Sequence, residues 1–117
     1  MMLNKKYSIE TIFDITEKLY FEIRKNEEFY NKFFKKYDIS RLIGVQKETI
    51  AHLLGYKSNV TEIDLVEKHK HLNIKEEDWN TFVKIVIKVL NDFKLEQKEI
   101  DFVLGKFSQF KDQIITA

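Results

Sequence analysis

The chain has 117 residues, 44% of them hydrophobic, with 20 Lys and Arg against 19 Asp and Glu and no cysteine. That length makes one domain with a sizeable core, and a formal charge of +1 supplies no field for nucleic acid or an acidic membrane surface. The lack of cysteine excludes disulfides, thiolate ligation and a cysteine nucleophile, and no stretch nears the roughly 18 apolar residues of a membrane span. The start Met1-Met2-Leu3-Asn4-Lys5-Lys6 has no apolar run behind its basic residues, so the expectation is a cytoplasmic protein with no membrane or nucleic-acid partner.

Proline is absent and glycine occurs only at Gly44, Gly55 and Gly105, too few turn residues for an all-β fold, so helix is expected throughout. Ile12, Ile15, Leu19 and Ile23 form the stripe of a first helix. The segment Asn26 to Asp38 reads as less regular, yet it holds Phe29, Tyr30, Phe33, Phe34 and Tyr37, which either cap the core or wall a flat apolar ligand. Leu42, Thr49, Ile50 and Leu53, widened by Ile43 and Leu54, mark a second helix that Gly55 closes, with a polar stretch beyond it to about Thr61. Asn73 is the expected entry to a third, central helix through Trp79, Phe82, Val83, Val86, Leu90 and Phe93, its first turn made acidic by Glu76, Glu77 and Asp78. After a turn at Leu95 to Lys98, Ile100, Val103, Leu104, Phe107, Phe110 and Ile114 define a fourth. No repeat or low-complexity segment interrupts this order.

Three polar residues stand out against these stripes. His69 lies just before the third helix with Leu72 and Ile74 behind it; such a histidine is either a core residue with a satisfied hydrogen bond or an inward metal ligand. Gln46 falls four residues from both Leu42 and Ile50, on the apolar face of the second helix, where an unpaired amide costs roughly 1–3 kcal/mol. Tyr20 sits at the edge of the first stripe. Tyr20 and Gln46 therefore make either a bonded structural pair or a polar corner in an apolar cavity.

The ordered pieces carry a resemblance. They are Leu19-Tyr20 with Ile23, the run Phe33-Phe34-Lys35-Lys36-Tyr37-Asp38-Ile39, Gln46-Lys47, Leu54-Gly55 with Asn59, Thr61, Asp64 and Leu65, then Glu67-Lys68-His69 with Leu72, Ile74 and Trp79, and finally Phe110 to Ile115. From about Ser8 to Ile115 the chain resembles the group 1 truncated haemoglobins, which implies an all-α, truncated globin-like two-over-two helical sandwich in a single domain over residues 1–117.

The same resemblance implies a haem (iron protoporphyrin IX) cofactor with His69 as its proximal iron ligand, Tyr20 as the distal tyrosine that hydrogen-bonds the gas, and Gln46 as its support. Phe34, with Phe33 beside it, packs on the haem face, and Leu42, Val45, Thr49, Ile50, Leu65, Val66, Trp79 and Phe82 line the pocket. Reversible binding of oxygen, with NO and CO as further ligands, is the implied function. Nitric oxide detoxification is compatible with it, but needs a separate reductase because no flavin or nicotinamide motif is present; no catalytic residue is assigned, and a monomer or weak dimer is expected. The alternative is a haem-free globin-like interaction or sensor module with its pocket filled by side chains.

Departures from the family pattern bear on the register. Tyr7-Ser8 stands where the family has paired glycines, Tyr56 where it has a second glycine after Gly55, and Val45 where some members carry an iron-binding histidine. Placing Tyr20 distally requires one extra residue before Phe33; without it Phe21 takes the position. His71 lies roughly 200° around a helix from His69, so the two cannot share one iron, and it is expected at the surface or rim, as His52 is at the periphery.

Overall fold

The computed structural model describes residues 3–58 and 69–116. After a short 3-10 turn at Leu3–Lys5, the described residues form α1 (Ile9–Lys25), α2 (Glu27–Phe33), α3 (Ile39–Leu53), α4 (Glu76–Asp92), α5 (Gln97–Ser108) and α6 (Lys111–Ile114), with no strand among them. The pairs α1–α3 and α4–α5 meet through the contact of α1 with α4, the expected two-over-two arrangement.

Local chemistry sets most of the helix ends. Ser8 Oγ accepts the Thr11 N–H at 3.3 Å to start α1, and Asp38 Oδ1 accepts the Ser40 and Arg41 N–H groups to start α3. Gly55, at φ +93°, supplies the left-handed residue expected to close α3. The two departures from family glycines meet here: the Tyr56 hydroxyl donates to the Tyr7 carbonyl at 2.8 Å and ties the end of α3 to the residue before the Ser8 cap.

Three expectations about helix boundaries are corrected. The stretch after Asn26 is a regular helix, α2, because the Asn26 side chain accepts the Phe29 N–H at 3.2 Å and acts as a cap. Asn73 is not the cap of α4; it takes the left-handed backbone at φ 56° that asparagine tolerates, and Lys75 is the cap, with its N–H donated to the Asp78 carboxylate at 2.9 Å. The fourth helical stripe is divided. Ser108 Oγ bonds back to the Leu104 carbonyl and Phe110 N–H turns to Phe107, so α5 ends before a separate short α6 that keeps Ile114 on the inner side.

The helix at the centre is α1, which packs on α2, α3 and α4. Ile12, Ile15, Leu19 and Ile23 are all buried, and Thr16 among them turns its hydroxyl to the Ile12 carbonyl at 2.9 Å. Val83, Ile85 and Ile87 of α4 remain partly exposed, so the expected central role of that helix passes to α1.

Buried carboxylates fasten the helices to one another. Glu22 of α1 takes Lys18, Lys25 and Lys88 at 3.3–3.4 Å, and Glu99 of α5 takes Lys6, the Tyr7 hydroxyl and the Glu96 N–H. Burial opposes ionisation of both, but these partners overcome it and hold both carboxyls below their ordinary value. A carboxyl depressed in the folded chain binds fewer protons there than when unfolded, so its contribution is full above the unfolded value near pH ~4 and is lost as pH falls through the folded one. Denaturant titrations of the chain should therefore show stability falling steeply below about pH 4, and Glu99→Gln should make that fall shallower.

Candidate functional site

Aromatic residues at the α2 corner, the inner face of α3 and the start of α4 do not close on one another; among the described residues they leave a cavity of about 940 Å³. From α1 comes Tyr20, and from the α2 corner Phe29, Phe33 and Phe34. Leu42, Val45, Gln46, Thr49, Ile50 and Leu53 descend along α3 at helical spacing. The segment before α4 contributes His69, Leu72 and Ile74, α4 itself contributes Trp79 and Phe82, and Phe107, Phe110 and Ile114 close the far wall.

Every predicted site residue that is described borders this one cavity; Leu65 and Val66 lie outside the described residues, as do Thr61 and Asp64. Of the two candidates for the distal position, Tyr20 faces inward at 5% exposure, whereas Phe21 is 52% exposed and lies beneath Lys18 and Lys25. Val45 is 44% exposed and so belongs to the edge of the wall. His71 is exposed at the mouth, its Nε2 at 3.4 Å from the Tyr37 hydroxyl, and His52 is exposed in the last turn of α3.

Aromatic contacts give the wall its shape. Phe34 meets Tyr20 edge-on at 5.7 Å and stacks on Tyr30 at 6.3 Å, while Phe29 meets Phe33 edge-on at 5.3 Å. On the other side Phe82 bridges Trp79 and Phe107, each at 6.0 Å.

The polar groups in this wall differ in how they are satisfied. Thr49 spends its hydroxyl on the Val45 carbonyl at 3.0 Å, within its own helix. Asp78, buried at the base of α4, receives Lys32 Nζ at 2.9 and 3.0 Å; burial opposes its ionisation, but Lys32 and the Lys75 N–H hold the carboxyl below its usual value. The bonded Tyr20–Gln46 pair does not form: neither side chain has a hydrogen bond to another described residue. Burial alone, with no bonded partner, pushes the Tyr20 phenol well above the usual tyrosine range. The wall thus carries two uncommitted polar side chains, from α1 and α3, and an imidazole from the segment before α4.

The sequence did not single out Asp78, Phe107, Phe110 or Ile114 as site residues. Periodicity marks an inward side chain without telling whether it meets another side chain or a void, and the Lys32 partner of Asp78 lies 46 residues away.

Neither a protein-family model nor a curated protein matches the sequence. Among solved structures, the chain is similar to the truncated hemoglobin of Tetrahymena pyriformis in its Fe(III) form, with a TM-score of 0.80 and 14% identity over 91% of this chain and 90% of that one. Two single-residue variants of the same hemoglobin, one replacing a tyrosine by phenylalanine and one a glutamine by glutamate, also match with TM-scores of 0.80, at 13% and 14% identity. This likeness is one of fold: the chain is all-α with the truncated-globin architecture.

The isolation of the Tyr20 hydroxyl has a direct readout. In a spectrophotometric alkaline titration, Tyr20 should ionise late, well above the usual tyrosine range. Tyr20→Phe should remove that late step and leave the earlier ones in place.

Proposed function

We propose that the cavity binds haem, and that the chain is a single-domain globin of the group 1 truncated type that binds oxygen reversibly, with NO and CO as further ligands. The observation that carries this reading is the company of His69 with the uncommitted Tyr20 hydroxyl and Gln46 amide in one aromatic and aliphatic cavity. Both groups open onto the cavity and are available to a ligand seated in it.

The residues fit the group. A cavity of about 940 Å³ with planar aromatic walls suits a flat apolar macrocycle, and Lys36 and Arg41 border it with the charge that its carboxylates require. His69 is the only histidine in the inner wall among the described residues, since His71 is at the exposed mouth and His52 does not border the cavity. Haem held there supplies an iron centre that binds diatomic gases and exchanges single electrons.

What the chain adds is selectivity. Tyr20 and Gln46 would offer hydrogen-bond donors to a ligand in the cavity, which would favour oxygen, the more negatively polarised ligand, over carbon monoxide. Phe34 fixes the Tyr20 ring by its edge contact, and Thr49 offers no competing donor because its proton is already committed. Val45 is aliphatic, so α3 brings no second imidazole to the site from that position. Nitric oxide oxidation is compatible with this pocket and takes its electrons from a separate reductase.

Reconstituted protein tests these roles. His69→Ala should lose axial histidine ligation in the absorption and magnetic circular dichroism spectra; unchanged ligation would remove His69 from the site. Tyr20→Phe should release oxygen roughly 10- to 100-fold faster in stopped-flow measurements, the equivalent of one hydrogen bond to a charged acceptor. An unchanged rate would leave the donor role to Gln46 alone.

A further inference from the structure

We propose that Thr116 is a positioning residue for His69: its hydroxyl clamps the turn from His69 to Ile74 and so holds the imidazole toward the cavity. The assignment rests on the haem reading above. Thr116 lies 47 residues from His69, yet three contacts bring it back to that turn. Its main-chain N–H donates to the Ile74 carbonyl at 2.9 Å, the Ile74 N–H donates to Thr116 Oγ1 at 3.1 Å, and the hydroxyl reaches the His69 carbonyl at 3.5 Å.

The bonding is chemically consistent. A threonine hydroxyl has one proton and two lone pairs, so accepting from Ile74 leaves its proton for His69. The His69 carbonyl already accepts the Leu72 N–H at 2.9 Å and has a second lone pair for Thr116. At 3.5 Å the last contact is weak by itself. The two shorter bonds to Ile74 supply the rigidity and place the hydroxyl beside the His69 carbonyl.

Neighbouring residues brace the same junction. Lys111 pairs with Glu76 at the start of α4, Ile114 borders the cavity, and Ile74 is buried in its wall. The closing segment therefore spans the base of the stretch that carries the imidazole. The contact is to the main chain of His69, so Thr116 acts by holding the turn that carries the imidazole.

The test uses the full chain reconstituted with haemin, as wild type, Thr116→Val and Thr116→Ser. Valine keeps the shape and the main-chain bond but removes both hydroxyl contacts; serine retains the hydroxyl. The readouts are the iron–histidine stretching band of the ferrous protein in resonance Raman, the rate of haem loss to excess apomyoglobin, and hydrogen exchange of the Ile74 amide in the haem-free chain. Thr116→Val should shift and broaden the band, lose haem about 10-fold faster and exchange Ile74 faster, while Thr116→Ser restores all three. Should the valine variant not fold, Thr116→Ala carries the same expectation. A hydroxyl-free variant with the wild-type band and haem-loss rate, or a serine variant that fails to restore them, would overturn the assignment alone. Absence of any one-to-one complex in wild type would overturn the haem reading and this assignment together.

Discussion

The burial of one face of α1 is the constraint on which the rest depends. Successive helical residues are turned by about 100°, so once Ile12, Ile15, Leu19 and Ile23 are buried, the direction of every other α1 side chain follows. Tyr20, one step from Leu19, reaches the cavity; Phe21, one step further, is turned to solvent. The same face packs on α2, α3 and α4, so the helix that centres the core also sets the angle at which the aromatic corner and the Gln46 face approach each other. A one-residue slip in α1 would exchange a hydroxyl for a phenyl ring in the wall and expose part of the core stripe.

A cavity of this size is an energetic liability that the surroundings must offset. Its walls lose the dispersion contacts they would make in a closed core. Long-range polar ties join the elements around it. Lys32 with Asp78 joins α2 to α4, Lys88 with Glu22 joins α4 to α1, and Thr116 with Ile74 joins the closing segment to the stretch before α4. None of these ties enters the inner wall with a free group, and Tyr20 and Gln46 remain its uncommitted polar side chains.

Much of this was legible in the sequence because helix periodicity reports burial directly. The stripes of α1 and α3, the closing role of Gly55 and the inward side of Gln46 follow from residue spacing, whereas Tyr20 and His69 were brought to the site by the family resemblance; the structure puts all three around one cavity. The errors came where a side chain, rather than a stripe, decides the backbone. Asn26 caps α2 and Asn73 takes a left-handed turn instead of a cap, yet both are asparagines ahead of an acidic run, and only their tertiary surroundings separate them. The break between α5 and α6 preserves the apolar period, so it leaves no trace in spacing. Partners far apart in the chain, such as Lys32 with Asp78 and Thr116 with Ile74, are invisible to any local pattern.

The central claim is that one cavity seats a haem on His69 with Tyr20 and Gln46 turned toward the gas. The most direct measurement is a crystal structure of the chain grown with stoichiometric haemin. The account predicts density for the macrocycle inside this cavity, the His69 ring nitrogen on the iron, and the Tyr20 hydroxyl and Gln46 amide on the other face. Haemin bound elsewhere, or a cavity closed by its own side chains with His69 hydrogen-bonded within the protein, would contradict it.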